Sequence, residues 1–246
     1  MIDVKYSSNI TINADCHASN LGLFGGLFSL LMILTTTIVF FTTIKHDEYK
    51  SLGIGLYSGQ FGFLTLCCLI AVPLAFRHTL KLNVVNHHHL DNSATAMDDL
   101  LLLVPLPFFY VHHLLCIYSE VKTASTNSLI MAFIYVLHLI QVTMQTPFLV
   151  DGIRRCSNER KFRFKKPAKG IITFLIIINV ALYFLVTFEI KSVDKYHSPA
   201  KYYGKWMWMI ILDTCLPLML FYRFHSSVCL SDIWKHAYEK DEPAAH

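Results

Sequence analysis

Six long apolar stretches constrain what this chain can fold into more than any other feature of its sequence. A helix needs about 20 mostly apolar residues to cross the hydrocarbon core of a bilayer, and each stretch is long enough. Hydrophobic residues fill 54% of the 246 positions and charged residues only 15%, whereas an average soluble domain is about 25% charged. We therefore predict an all-α, polytopic membrane protein with six transmembrane helices. The predicted spans are Leu21–Ile44, Leu52–Phe76, Thr95–Tyr118, Asn127–Val150, Gly170–Glu189 and Trp206–Phe224.

Lysine and arginine are distributed unevenly between the two sides that six spans define. The side holding both termini carries a two-to-one excess of these residues, mainly in the loop 151–169. Basic loops stay in the cytoplasm, so both termini are predicted to be cytoplasmic, in an integral protein of the plasma membrane. The chain then divides into a cytoplasmic N-terminal segment (1–20), a six-span domain (21–225) and a cytoplasmic C-terminal segment (226–246). The C-terminal segment contains a predicted interfacial amphipathic helix, Ser226–Lys240.

Three of the spans carry polar side chains near the middle of the bilayer. His138, Gln141 and Gln145 share one helical face of the fourth span, because residues three and seven positions apart lie on the same side. Asn179 lies near the middle of the fifth span, and Asp213 near the middle of the sixth. Ionisable residues at bilayer depth are costly and suggest function. This layer predicts either a proton path or a structural hydrogen-bond network between helices.

Other ionisable residues lie nearer the ends of the spans. Asp98 and Asp99 open the third span, and Glu189 closes the fifth; all three are expected to be solvated helix ends. Arg223 and His225 close the sixth span at the predicted cytoplasmic mouth, where Arg223 is expected to reach lipid phosphates or pair with a carboxylate. The candidate residues for a proton path or an interface are His138, Gln141, Gln145, Asn179, Glu189, Asp213, Arg223, His225, Asp98 and Asp99.

Several functional classes find no support in the sequence. The seven cysteines form no C-x-x-C pair, which argues against a zinc ribbon. There is no HExxH motif and no phosphate-binding loop. No metal and no other cofactor is predicted, although histidines inside the third and fourth spans leave haem as an alternative. The net charge of +4 is modest and concentrated in one loop, so no nucleic-acid partner is expected.

Three segments of the chain resemble the otopetrin family of proton channels. They are QVTMQTPFLVDGIRRC at Gln141–Cys156, KPAKGIITFLIIINVALYFLVTF at Lys166–Phe188 and LPLMLFYRFHSSVCLSDIW at Leu216–Trp234, in the family's order and at family-like spacing. Shorter similarities lie at Cys16–Leu27 and Met97–Leu103. The resemblance covers nearly the whole chain.

The resemblance extends to only one half of the family pattern. Otopetrins have two six-helix halves in one chain and pair as dimers, and this sequence is similar to the second half. Two positions depart from the pattern: Asp213, where members often have His or Asn, and Pro147, where they usually have an apolar residue. The resemblance implies that some matched residues line a hydrated path or the interface between halves; the matched residues are Gln141, Gln145, Asp151, Arg154, Asn179, Glu189, Arg223 and His225.

The residues and the resemblance together predict passive, proton-selective conduction across a membrane, without covalent chemistry and hence without enzymatic activity. The expected partners are the lipid bilayer and either further copies of this chain, as a dimer or tetramer, or a full-length otopetrin. Two alternatives stay open. The chain could be a non-conducting half-length paralogue that modulates a full-length otopetrin, or an incomplete gene model.

Overall fold

The computed structural model describes residues 2–85, 92–193 and 198–240, and within them the chain is almost entirely helical. Two residue pairs form a short antiparallel ribbon, in which Asn83 faces Cys156 and Val84 faces Arg155. The elements are α1 (Ile2–Thr43), a 3-10 turn (Asp47–Tyr49), α2 (Lys50–Thr79), β1 (Asn83–Val84), α3 (Asn92–Leu103), α4 (Leu106–Thr123), α5 (Thr126–Gly152), β2 (Arg155–Cys156), α6 (Arg160–Lys165), α7 (Lys169–Val193), α8 (Ser198–Tyr203) and α9 (Lys205–His236).

The prediction of six transmembrane helices is confirmed. Six helical stretches of the described chain are long and apolar enough to cross a bilayer. The third of them is interrupted, since α3 ends at Leu103 and α4 starts after Pro105, whose ring cannot continue the preceding helix. The spans are Ser19–Thr43, Lys50–Thr79, Thr95–Thr123, Thr126–Gly152, Lys169–Phe188 and Lys205–His236.

The two ends of the helix bundle are distinguished by their connections. At one end, which we call the ribbon end, β1 after α2 pairs with β2 after α5. At the other, which we call the hairpin end, a tight turn joins α4 to α5. Ala124 closes α4 in the left-handed conformation, and the Ser125 hydroxyl caps α5 by accepting a hydrogen bond from the Ser128 amide.

Five helices surround a common interior. In order around the ring, α2 packs on α5, α5 on α4, α4 on α9, α9 on α7, and α7 back on α2. The first helix lies outside this ring and packs on α7 and α2. Polar side chains that point inward from α4, α5, α7 and α9 therefore meet inside the bundle rather than in lipid.

The sixth span is longer than the sequence predicted. Helix α9 continues without a break to His236, so residues 226–236 extend the span instead of forming a separate interfacial helix. Its last turns are anchored to the start of α7. The Trp234 indole donates to the Thr173 hydroxyl over 3.0 Å, and the Lys169 ammonium lies 3.8 Å from the centre of the Trp234 ring. Beyond the helix, burial raises the pKa of Tyr238.

Close backbone approach holds α1 against α7. A Cβ atom at Gly22 would lie 1.7 Å from the Gly170 carbonyl oxygen, and one at Gly26 would lie 2.6 Å from Ile177 Cδ1. Small residues at such points let transmembrane helices pack tightly. Close packing is important there because lipid is as apolar as protein, so no hydrophobic effect drives the helices together. The glycines of α1 thus determine how the outer helix attaches to the ring.

We expect Gly22→Ala to destabilise the protein by about 2 kcal/mol, because the added methyl group must push α1 away from α7. The measurement is the apparent melting temperature of the purified chain in detergent. The matched control is Gly55→Ala on α2, where a Cβ would meet nothing within 4 Å. Since alanine favours helix over glycine, the control should be neutral or slightly stabilising. Equal melting temperatures for the two variants would contradict the close packing of α1 on α7.

Candidate functional site

A fully buried arginine lies at the centre of the bundle. Arg223, on α9, is 1% exposed and donates hydrogen bonds to side chains of two other helices. Its Nη1 donates to Asn179 Oδ1 on α7 over 3.1 Å, and its Nη2 donates to Gln141 Oε1 on α5 over 2.8 Å. Nη2 also contacts His138 Nε2. One guanidinium group therefore joins α5, α7 and α9.

Two amide side chains complete the hydrogen bonding around this arginine. Gln141 Nε2 donates to Gln145 Oε1 over 2.7 Å, and Gln145 Nε2 donates to Asn179 Oδ1 over 3.0 Å. The Asn179 amide nitrogen donates back to the Leu175 carbonyl over 2.9 Å. The amide groups of Gln141, Gln145 and Asn179 are thus all engaged. We call Arg223, His138, Gln141, Gln145 and Asn179 the Arg223 cluster.

One histidine, His113, extends the Arg223 cluster into α4. His113 Nε2 lies 2.7 Å from His138 Nδ1, and His113 Nδ1 lies 2.9 Å from the Phe109 carbonyl oxygen. Arginine has only donors, so His138 Nε2 must accept from Arg223, and the hydrogen of this imidazole is then on Nδ1. His138 donates to His113, which in turn donates to Phe109. All three hydrogen bonds point in one direction, from Arg223 toward α4.

Arg223 forms no ion pair with a carboxylate among the residues that the structure describes. Its described partners are the neutral acceptors given above, together with the rings of Phe109 and Tyr222, each 5.7 Å from the guanidinium carbon. Leaving a buried ion with unfilled hydrogen bonds costs several kcal/mol. The three acceptors and the two rings therefore account for how a cation is held at this depth.

Two acidic residues of α3 lie at the ribbon end. Asp98 Oδ1 lies 3.7 Å from His225 Nε2, and Asp99 forms an ion pair with Arg154. His225 Nε2 makes no hydrogen bond within the described residues, although the atom is buried. Because Asp98 is about one-third exposed, this pair lies between the buried interior and the membrane surface.

Aromatic and histidine rings continue from the cluster toward the hairpin end. His112 is 1% exposed, and its ring centre lies 5.1 Å from that of His113 and 5.5 Å from that of Trp208. The Trp208 indole nitrogen is buried without a hydrogen-bond partner among the described residues. Across the bundle, Gln60 on α2 is also buried with its whole amide group unbonded in the described chain. Buried groups of this kind are sites where ordered water binds in membrane-protein interiors.

The structure corrects the sequence prediction for Asp213 and Arg223. Asp213 is exposed on the surface of α9 and lies in the first third of that helix, outside the Arg223 cluster. Arg223, predicted at the cytoplasmic mouth, is buried in the position where the layer was expected to hold Asp213. The cause is the length of α9, which continues to His236 and moves its midpoint to Leu220 and Phe221.

The remaining predicted residues separate into three groups. His138, Gln141, Gln145 and Asn179 meet in one cluster, and Asp98, Asp99 and His225 lie together at the ribbon end. The side chain of Glu189 lies outside the described residues. His113, His112 and Trp208 contribute to the site although none was among the predicted site residues. The place of His113 in α4 next to Phe109 depends on the break at Pro105, which shifts the depth of every residue after it.

We expect Asn179→Leu to destabilise the fold by about 2–4 kcal/mol. The change removes the acceptor of both Arg223 Nη1 and Gln145 Nε2, and each buried unbonded donor costs about 1–3 kcal/mol. Thermal unfolding in detergent, followed by circular dichroism, measures the loss. Asn127→Leu, at an exposed asparagine near the start of α5, is the control and should leave the melting temperature unchanged. Equal melting temperatures for the two variants would contradict the contribution to stability that the hydrogen bonds of the Arg223 cluster indicate.

Comparison with known proteins agrees with this architecture. The otopetrin family profile matches residues 3–224. The chain is 28% identical over 230 residues to Proton channel OtopLc of Drosophila melanogaster, a match that covers 92% of this chain and 14% of the fly protein. It is 30% identical over 106 residues to Proton channel OTOP2 of Homo sapiens, covering 40% of this chain and 19% of the human protein. The chain thus spans less than a fifth of either relative. With the family profile matching nearly its whole length, this chain belongs to the otopetrin family.

Proposed function

We propose that the six-helix bundle conducts protons passively across a membrane, with the Arg223 cluster and His113 as the central part of the path. The observation that supports this function best is the hydrogen-bonded series Arg223–His138–His113, which joins three helices at bilayer depth. Imidazoles are suited to relay protons because each neutral ring has one nitrogen that donates and one that accepts a hydrogen bond. The family relatives are named proton channels.

The proposed path runs from the hairpin end to the ribbon end. Protons enter near Trp208 and His112, pass through His113 and His138, and leave past His225 and Asp98. Bound water at Trp208 Nε1 and at His225 Nε2 bridges the gaps between the side chains of this path. Both atoms are buried without a described hydrogen-bond partner, so each is a site where water can bind. The ribbon end is the cytoplasmic side in this proposal, since it carries the excess of lysine and arginine.

Arg223 controls whether the path is open. With the hydrogen bonds in their present direction, His138 holds its proton on Nδ1 and has no free lone pair. Inward transfer requires His113 to donate from Nε2 to His138 Nδ1, which places a hydrogen on His138 Nε2, opposite the Arg223 donor. Two donors repel, so Arg223 must withdraw from His138 before a proton passes. The described state is therefore closed, and protonation from the hairpin end opens it.

The same arginine discriminates against metal cations. Two unit charges about 4 Å apart repel by roughly 4 kcal/mol at the effective dielectric of a partly polar protein interior. A proton offsets this repulsion by forming a covalent bond to an imidazole nitrogen. Na⁺ and K⁺ need several oxygen ligands instead, and the described acceptors of the cluster already accept from Arg223 and the amide groups.

A second candidate function is modulation of a full-length otopetrin through the face of α9 that carries Asp213. This carboxylate is exposed about 12 Å along α9 from Lys205, among the exposed apolar residues Met209 and Ile210. Polar side chains on the outer surface of a transmembrane helix can hydrogen-bond to a neighbouring helix. We propose that protein covers this face in the plasma membrane, either a second copy, giving a dimer or tetramer, or a full-length otopetrin.

Proton flux tests the principal proposal. The purified chain is reconstituted into liposomes that contain a pH-sensitive dye, and an acid step is applied with K⁺ and valinomycin to clamp the potential. We expect rapid acidification in wild type and a loss of tenfold or more in His138→Gln, because glutamine can accept from Arg223 but cannot relay a proton. His46→Gln, at an exposed histidine outside the bundle, is the control.

Two results would count against conduction by this chain. One is folded, reconstituted wild-type protein that acidifies no faster than empty liposomes. The other is His138→Gln with wild-type flux and wild-type melting temperature, which would place the path elsewhere. A Na⁺ gradient applied in place of the proton gradient should produce no flux through wild type, as the repulsion from Arg223 requires.

Cross-linking tests the proposed contact at the Asp213 face. We expect Ile210→Cys, one turn from Asp213 and 69% exposed, to form disulfide-linked oligomers when oxidised in native membranes. Leu66→Cys, on the exposed face of α2, is the control for random collision. Equal cross-linking of both variants, or monomers only, would contradict self-association through the Asp213 face. Cross-links only to a co-expressed full-length otopetrin would favour the modulatory function.

A further inference from the structure

An apolar groove follows the outer side of α5, away from the Arg223 cluster. Its first part, with a volume of about 480 Å³, lies between α4 and α5, and its second, of about 360 Å³, lies between α2 and α5. The two parts share Thr143 and Met144 and are therefore continuous. We call this feature the α5 groove.

Two prolines line the second part of the α5 groove. Pro73 lies inside α2 and Pro147 inside α5, and both face the same cavity. Proline in a helix removes one backbone hydrogen bond, and its ring collides with the preceding turn of the same helix. The space between α2 and α5 thus lies where both helices contain a proline.

Few polar groups in the wall of the α5 groove need a hydrogen-bond partner. The Thr143 hydroxyl donates to the Leu139 carbonyl over 2.7 Å, and Tyr110 Oη lies 2.6 Å from Thr143 Oγ1. The hydroxyl groups of Tyr110 and Thr143 are therefore both hydrogen-bonded. The other lining residues, from Ile117 in the first part of the groove to Phe76 in the second, are apolar. Such a wall accepts a hydrocarbon chain without leaving a polar group unbonded.

The length of the α5 groove matches one leaflet of a bilayer. From Val136 to Pro147 the groove follows eleven residues of helix, or about 16 Å. The hydrocarbon core of a membrane is about 30 Å thick, so the acyl chain of one leaflet covers about 15 Å. A single chain would therefore extend from the ribbon end to the middle of the bundle.

A positively charged side chain lies at the ribbon end of the α5 groove. Arg77 is exposed, lines the cavity, and makes no ion pair or side-chain hydrogen bond with the part of the chain that the structure describes. Asp151 and Arg155, which also lie near this end, are paired with each other. Among the described residues, no carboxylate lines the groove. Arg77 is thus placed to bind a phosphate at the membrane surface.

From these features we infer that the α5 groove is a binding site for one anionic phospholipid. One acyl chain fills the space between Pro73, Met144 and Pro147, and the phosphate binds Arg77. The site is separate from the proposed proton path, since Thr143 and Met144 face the outside of α5 while His138, Gln141 and Gln145 face the interior. The leaflet at the ribbon end is the cytoplasmic one in our proposed orientation, where anionic lipids are concentrated.

Native mass spectrometry of the full chain tests this site. The protein is released from mixed micelles that contain equal amounts of dioleoyl phosphatidylglycerol and dioleoyl phosphatidylcholine. We expect wild type to retain one phospholipid, with phosphatidylglycerol favoured about fivefold, the factor that one basic residue near an anionic surface provides. Arg77→Gln should lower this ratio to about one. Arg160→Gln, which removes an exposed cation from α6 at the same end of the bundle, should leave the ratio unchanged.

A second variant separates the groove from the charge. Met144→Trp fills the space shared by the two parts, so retention of both lipids should fall while the melting temperature stays within a few degrees of wild type. Glycerophosphoglycerol, the headgroup without acyl chains, should not displace the bound lipid, because the chain supplies most of the contact. An unchanged ratio in Arg77→Gln, unchanged retention in Met144→Trp, or displacement by the free headgroup would overturn the inference. So would lipid-free dimers, which would assign the groove to a second copy of the chain.

Discussion

The hydrogen bonds of one buried guanidinium group determine how this bundle is arranged. Arg223 keeps its charge and has only donors, so the helices around it must supply acceptors. Helix α5 supplies Gln141 and His138, and α7 supplies Asn179. In a bilayer, where apolar side chains gain little by leaving lipid for protein, such directional contacts help to select one packing of helices over others.

The proposed function depends on the same contacts. The direction of the hydrogen bonds from Arg223 through His138 to His113 follows from the fact that arginine cannot accept. A relay whose direction is imposed by a fixed cation differs from a row of waters, which reorients freely. The acidic residues Asp98 and Asp99 lie at the edge of the bundle, where one faces His225 and the other pairs with Arg154.

The sequence was sufficient for the architecture and for part of the site. Six spans follow from composition, and the shared face of His138, Gln141 and Gln145 follows from helical periodicity. The error at Asp213 came from judging depth by the ends of an apolar run. Periodicity within α9 separates the two residues: Arg223 continues the buried series Trp208, Leu212, Cys215, Met219, Tyr222, whereas Asp213 is out of phase with it. Periodicity likewise places His113 on the buried face of α4, in the series Phe109, His112, His113, Cys116, but does not show which residue of another helix it contacts.

The two hydrogens on Arg223 Nη2 have a consequence for any motion of the cluster. One hydrogen of Nη2 points to His138 and the other is donated to Gln141, while Nη1 donates to Asn179. In the proposed mechanism, protonation of His138 removes one of the three acceptors of the guanidinium and leaves two, so the cation keeps hydrogen bonds in the low-dielectric interior. Such a step would require only a rotation of the Arg223 side chain, with the backbone of α9 unchanged. Opening and closing would then proceed as fast as a side chain reorients, with no helix needing to slide past another.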